Sequence, residues 1–218
     1  MKLKYTTLLF DLDGTLTDSG EGIINCVLRA LHHFGIEETD SKVLNSFIGP
    51  PLHESFKRCY PDMTKQQVDT ALEVYRARYD SIGMFENRVY QGIPELLDSL
   101  HAAGYRLILA TAKPECFTYP IMRHFDLERR FDKIYGCIEE IGRYDKFEVI
   151  RDLLADNPDL NAENTIMIGD RNHDVLGAAK NGLDCIGVLY GFGDREELEN
   201  AGAKYITDTV NDLKNLLI

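Results

Sequence analysis

Apolar positions along the chain follow two rhythms. Tyr5 to Phe10 reads as a short buried strand that runs straight into a polar loop, Asp11–Ser19. From Gly22 to about Ile82 the spacing is helical: Val27, Leu28, Leu31 and Phe34 share one face, and Gly35 closes that helix. Pro50-Pro51 marks a turn and a new helix start, and Val68, Leu72, Tyr75 and Tyr79 form a further amphipathic stripe. These stripes are core positions, not a cofactor box.

After Gly83 the rhythm changes. Strands are predicted over 105–110, 134–137, 165–168 and 185–189. Helices are predicted over 93–103, 115–124, 146–155, 173–181, 196–201 and 211–217, with Gly104 and Gly182 as stops. Strands alternating with helices of this length mean a parallel sheet covered on both faces. The helical block interrupts that alternation after the first strand. The fold class expected is therefore α/β, a Rossmann-like doubly wound core (1–17 and 86–218) with an inserted α-helical cap (18–85). No internal repeat or low-complexity stretch alters this division.

Charge narrows the partners. With 24 Lys and Arg against 36 Asp and Glu the chain carries −12, and its basic residues are scattered. Nucleic acid and anionic lipid are disfavoured, and an anionic substrate needs a cation built into its site. The five cysteines (Cys26, Cys59, Cys116, Cys137, Cys185) have neither zinc-ligand nor thioredoxin spacing, which suits free thiols in a reducing compartment. The apolar run Leu8–Phe10 is too short for a signal peptide, and nothing approaches membrane-spanning length. A cytoplasmic enzyme is expected, and a cap of this size usually permits a monomer.

Open parallel sheets bind ligands beyond the carboxyl ends of their strands. Three strands are followed there by Asp11-Leu12-Asp13-Gly14-Thr15, by Thr111-Ala112-Lys113-Pro114 and by Gly169-Asp170-Arg171-Asn172-His173-Asp174. Lys146 opens a helix 24 residues before Asp170. Asp11 and Asp13, two apart on an extended segment, point the same way. Two carboxylates so placed can divide labour, one as nucleophile and one as proton carrier. A calcium loop counted from Asp11 would need Gly at its sixth place and Glu at its twelfth, where Leu16 and Gly22 stand. Singly, Thr111 is a strand-end hydroxyl, Lys146 a solvated helix residue, and Asp170 or Asp174 a helix cap. Their joint order, each after a strand or at a helix start, favours one catalytic pocket.

Together these four segments resemble the haloacid dehalogenase-like phosphatases with an α-helical cap, with Phe47–Leu52 and Gly187–Gly191 extending the likeness. Proteins called phosphoglycolate phosphatases or 5′-nucleotidases look most similar. The resemblance implies a phosphoric monoester hydrolase in which Asp11 becomes an aspartyl-phosphate and Asp13 is acid, then base. Thr111 would bind phosphoryl oxygens and Lys146 would balance charge. Mg²⁺ would be held by Asp11, the main-chain carbonyl of Asp13 and Asp170, with Asp174 as a water-mediated or outer ligand. Two positions depart from the family pattern: Ala112 replaces a common Ser or Asn, and Lys113 offers a second ammonium. Arg171 is placed outside the catalytic set. The substrate expected first is phosphoglycolate-like; a 5′-nucleotide, a sugar phosphomutase reaction and an inactive binding scaffold are the alternatives. Phe47, Phe56 and Tyr60 either pack inside the cap or stack on a base, and His53 and Lys57 are candidate cationic contacts.

Overall fold

The structure is a computed structural model that describes residues 3–218. The chain forms two units, one made of the residues up to Thr17 with Val89–Ile218, the other of Asp18–Arg88. In chain order the first unit begins with β1 (Thr7–Phe10). The chain leaves it along β2 (Thr17–Asp18), which pairs with the returning β3 (Arg88–Val89). Between them lie α1 (Gly20–His33), α2 (Ser41–Asn45), α3 (Leu52–Cys59) and α4 (Lys65–Tyr79). Then follow α5 (Ile93–Ala102), β4 (Arg106–Pro114), α6 (Glu115–His124), β5 (Lys133–Cys137) and α7 (Lys146–Asp156). The chain closes with β6 (Thr165–Gly169), α8 (Asn172–Lys180), β7 (Asp184–Val188), α9 (Arg195–Ala201), β8 (Tyr205–Thr207) and α10 (Val210–Leu217).

Six strands form one parallel sheet in the order β5-β4-β1-β6-β7-β8. The order reverses between β1 and β6, which opens a crevice beyond their carboxyl ends. Covered on both faces, these strands are continuous apolar runs. Leu9, Ile108, Ala110, Met167 and Cys185 pack with Val149, Ile150 and Leu153 of α7, Val175 and Ala178 of α8, and Leu198 of α9. Alternate residues (Leu8, Phe10, Leu107, Leu109, Ile166, Ile168) serve the opposite face and are equally buried. There α5 packs on β4, and α10 on α5.

In the helical unit α1 packs on α4, and a Thr64–Gln67 capping box starts α4. Arg78 grips Glu86 through Nη1 and Nη2 at 2.6 and 2.8 Å. Phe47 and Phe56 are fully buried against each other, edge to face at 5.0 Å, so both serve packing. The Tyr60 hydroxyl donates to Glu38 at 2.8 Å. Lys57 is exposed and His53 half-buried.

Three features differ from the sequence reading. The short α2 and the edge strand β8 were not anticipated, since each buries a single side chain, Leu44 and Thr207 respectively. β4 does not stop at Ala110 but continues to Pro114, with a register shift after Ala110. Its polar end, Thr111-Ala112-Lys113, reads as loop from hydrophobicity alone, yet pairing with β5 resumes at Cys137. All five cysteines are free, and among the described residues no helix is long and apolar enough to cross a membrane.

Candidate active site

β1 delivers Asp11 into the crevice, where its backbone N–H donates to the Ile168 carbonyl at 3.0 Å. A tight turn follows, with Leu16 and Thr17 N–H groups on the Leu12 carbonyl and Gly14 N–H on that of Thr17. Gly14 has φ +83°, and a Cβ there would overlap the Asp170 carboxylate. Only glycine meets both demands.

Lys146, the first residue of α7, is buried beside Asp11. Its ammonium donates to Asp11 Oδ1 and to the Ala110 carbonyl, both at 2.7 Å, and pairs with Asp174 Oδ1 at 2.7 Å. Asp145 caps that helix by accepting the Glu148 N–H. Gly177 leaves room for the lysine stem, because a Cβ there would lie 2.8 Å from Lys146 Cγ.

Asp170, just past β6, is wholly buried. Its Oδ1 accepts the Thr15 hydroxyl at 3.2 Å and its Oδ2 the Phe192 N–H at 2.8 Å. Asp174, in the first turn of α8, accepts the Arg171 N–H at 3.1 Å. Arg171 itself turns to Glu197 at 2.9 Å. Asp13 pairs through Oδ2 with Lys113 at 2.6 Å, while its Oδ1 is buried with no hydrogen-bond partner among the described residues. The Thr111 hydroxyl accepts the Lys113 N–H at 3.2 Å.

The structure thus gathers Asp11, Asp170, Asp174 and Lys146 at one point, with the Asp13–Lys113 pair and Thr111 on the neighbouring strand ends. Neither the pairing of Lys113 with Asp13 nor the parts of Thr15 and Phe192 were read from sequence. The Gly191-Phe192-Gly193 run after β7 was the available signal. A Cβ at Gly193 would overlap the Asp170 carbonyl, as expected where backbone approaches backbone.

Asp11, Asp170 and Asp174 each offer an oxygen within 4.8 Å of the others. With all three ionised and one ammonium among them, the cluster carries a formal −2. Burial, then the charges of Asp174 and Asp11, push the Asp170 carboxyl well above the usual carboxylate range. Burial also raises Asp11, though Lys146 opposes it. Burial acts most strongly on Asp174 and upward, but Lys146, His173 and the Arg171 N–H together outweigh it and hold that carboxyl below its ordinary value. Lys146 in turn is pushed down by burial and up, more strongly, by Asp11 and Asp174. A buried set of hard oxygen donors with two negative charges in excess fits a divalent cation.

That electrostatic load makes a prediction for Asp170. A carboxyl raised on folding contributes stability that is complete below the ordinary carboxylate range and is lost as pH rises through its folded value. Near neutral pH without metal, Asp170→Asn should therefore melt higher than the parent. The expected gain is about 2–4 °C for each kcal/mol relieved. Mg²⁺ should raise the Tm of the parent, and the same variant should lose most of that rise. Thermal melts in EDTA and in Mg²⁺ across pH test both; an undiminished Mg²⁺ shift in the variant contradicts a role for Asp170 in holding the cation.

Residues 8–188 match the family described as haloacid dehalogenase-like hydrolase. A 5′-nucleotidase of Pseudomonas aeruginosa is 49% identical over 90% of this chain and 88% of its own length. The tyrosine-protein kinase PtkA of Mycobacterium tuberculosis is 35% identical over 96% of this chain and 72% of its own. The crystal structure of a predicted phosphatase from Clostridium acetobutylicum superposes with a TM-score of 0.90 at 45% identity, over 97% of each chain. The doubly wound sheet, the site at its switch point and these matches agree, and the chain belongs to the haloacid dehalogenase-like hydrolases.

Proposed function

We propose that this chain is a Mg²⁺-dependent phosphomonoester hydrolase that works through an aspartyl-phosphate on Asp11. The observation that carries the reading is Asp11 itself, buried past the end of β1 and oriented by the Lys146 ammonium at 2.7 Å. Lys146 engages Oδ1, and Oδ2 is the oxygen that attacks phosphorus. Asp13 enters this step in its acid form; as the phosphorus–ester bond breaks it passes that proton to the departing alkoxide, which is otherwise a poor leaving group, and is left as the carboxylate. In the second half, Asp13 takes a proton from water as that water attacks phosphorus. The bond to Asp11 breaks, its carboxylate is restored and inorganic phosphate leaves. Thr111 and neighbouring backbone N–H groups hold the phosphoryl oxygens, and Lys146 balances the charge gathered there.

The Asp11 carboxylate, the Asp13 main-chain carbonyl and Asp170 would hold Mg²⁺, with Asp174 behind them. Asp13 Oδ1, buried with no partner among the described residues, and the excess negative charge of the cluster suit a ligand-filled pocket. When bound, the ion supplies the positive charge that lets a dianionic phosphate approach three carboxylates. A cytoplasmic enzyme agrees with the free cysteines.

For the substrate, the 49% identity to a protein named 5′-nucleotidase moves nucleoside 5′-monophosphates ahead of phosphoglycolate. The 35% identity to a protein named tyrosine-protein kinase favours one further reading, transfer of the Asp11 phosphoryl group to an acceptor other than water. Phosphate release should be measured with Mg²⁺ and with EDTA across nucleoside monophosphates, phosphoglycolate, sugar phosphates and ATP. Release from nucleoside monophosphates, abolished by EDTA, is the expected result. Release from none, by folded protein, rejects the hydrolase reading; phosphoryl transfer from ATP to protein tyrosine would support the kinase-like one.

A further inference from the structure

Arg143 is the buried charge that the mechanism above leaves unused. It lies in the loop between β5 and α7, only 7% exposed, although nothing about a loop arginine requires burial. Its Nη1 donates to Glu115 Oε1 at 3.1 Å and to the Gly136 carbonyl at 3.2 Å; its Nε donates to Asp152 at 3.1 Å. The guanidinium also lies over the Tyr135 ring, 5.6 Å from its centroid. The backbone of the loop is pinned as well, by exchange of N–H and carbonyl groups between Ile138 and Arg143 at 2.9 and 3.1 Å.

The partners tell what this cation joins. Glu115 opens α6, two residues beyond Lys113, and its Oε1 also accepts the Gly136 N–H at 3.1 Å. Asp152 belongs to α7, the helix that Lys146 begins. Gly136 lies directly against the strand end carrying Lys113: a Cβ there would be 2.7 Å from the Lys113 carbonyl. One guanidinium therefore ties the segment bearing the ammonium on Asp13 to the segment bearing the ammonium on Asp11.

A merely structural ion-pair network is the bland alternative. Burying a guanidinium between two carboxylates is costly, and a well-packed apolar group would often stabilise a fold as well or better. Geometry is what such a network adds. Arg supplies a planar fork with fixed donor directions, which a lysine point charge does not. We propose that Arg143 is a positioning residue: through Glu115 and Asp152 it holds Lys113 and Lys146 in register with Asp13 and Asp11. Misplacement of such groups by about 1 Å costs on the order of 100-fold in rate.

The catalytic side of this inference rests on the hydrolase reading, so the test includes a readout free of turnover. R143K and E115Q, which keep the bulk of each side chain, are compared with the parent by ¹⁵N NMR of the side-chain ammonium groups, assigned with K113R and K146R. In the parent both ammonium signals should be sharp and protected from exchange; in R143K and E115Q both should broaden while backbone spectra stay folded. Turnover of 4-nitrophenyl phosphate, measured where all variants are folded, should fall about 10- to 100-fold in kcat with little change in KM. The double variant should be no slower than the slower single one, since both substitutions break the same Arg143–Glu115 link. Unchanged ammonium signals overturn the inference, as does a kcat loss that disappears once Tm differences are matched by cooling. Signals that are sharp in the parent and broadened in R143K and E115Q, with a parent that hydrolyses nothing, would sustain the positioning role and reject the hydrolase reading alone.

Discussion

Asp11→Asn should lower turnover by at least about 10⁴-fold, the scale of removing a nucleophile, while the chain stays folded. The amide has nearly the shape of the carboxylate but is a far weaker nucleophile. Lys146 keeps Asp174 and the Ala110 carbonyl as partners, so no buried ammonium is abandoned. The substitution also removes one of three crowded carboxylates, and burial already raises that group. The variant's Tm in EDTA should therefore equal or exceed that of the parent. Turnover within tenfold of the parent would remove Asp11 from the chemistry. A large fall in Tm would show that the cluster depends on its charge for folding.

Lys146→Met should be damaging in both respects. It leaves Asp11, Asp170 and Asp174 buried with no ammonium among them. Breaking a buried pair by removing one partner costs about 3–5 kcal/mol, which corresponds to roughly 6–20 °C in Tm for a domain of this size. The sign with pH follows from Asp174, whose carboxyl Lys146 helps to hold low against its burial. The stability this pair contributes is present above the ordinary carboxylate range and fades as Asp174 is protonated in acid. The difference between parent and variant should thus be widest near neutral pH and narrow as pH falls. Mg²⁺ should recover part of the loss by supplying charge to the same oxygens. Turnover should fall by about 10²–10³-fold or more, the scale of losing one preorganised charge partner. Lys146→Arg, with the charge but not the compact ammonium, should lie between. Melting curves at several pH values, with and without Mg²⁺, check the stability; an unchanged Tm at neutral pH contradicts the charge balance.

How much of this was legible in the sequence depends on how locally each feature is encoded. β1, β4 and β6 are buried on both faces, so Leu8–Phe10, Leu107–Ala110 and Ile166–Ile168 stand out as apolar runs wherever they are met. Asp11 follows one of those runs directly and Asp170 another after a single glycine, and Lys146 opens a helix with an Asp cap, so their candidacy was readable too. β8 was not, because three residues with one buried side chain form no pattern. Nor was the end of β4, whose polar residues continue a strand by pairing rather than by hydrophobicity. The deeper gap lies in the contacts. Thr15 meets Asp170 across 155 residues of chain, and Lys113 meets Asp13 across two adjacent strand ends. The strand order that creates those meetings is not written in any one segment. Nothing local distinguishes Arg143 from the other arginines until the fold sets Glu115, Asp152 and Gly136 around it.

The most direct measurement is to quench the enzyme during turnover of a hydrolysed phosphomonoester with Mg²⁺ and map any covalent adduct by mass spectrometry. A hydroxylamine-labile phosphoryl group on the peptide containing Asp11, absent in Asp11→Asn, is the result expected. Steady turnover with rapid-quench samples that carry no adduct on that peptide would contradict the covalent mechanism.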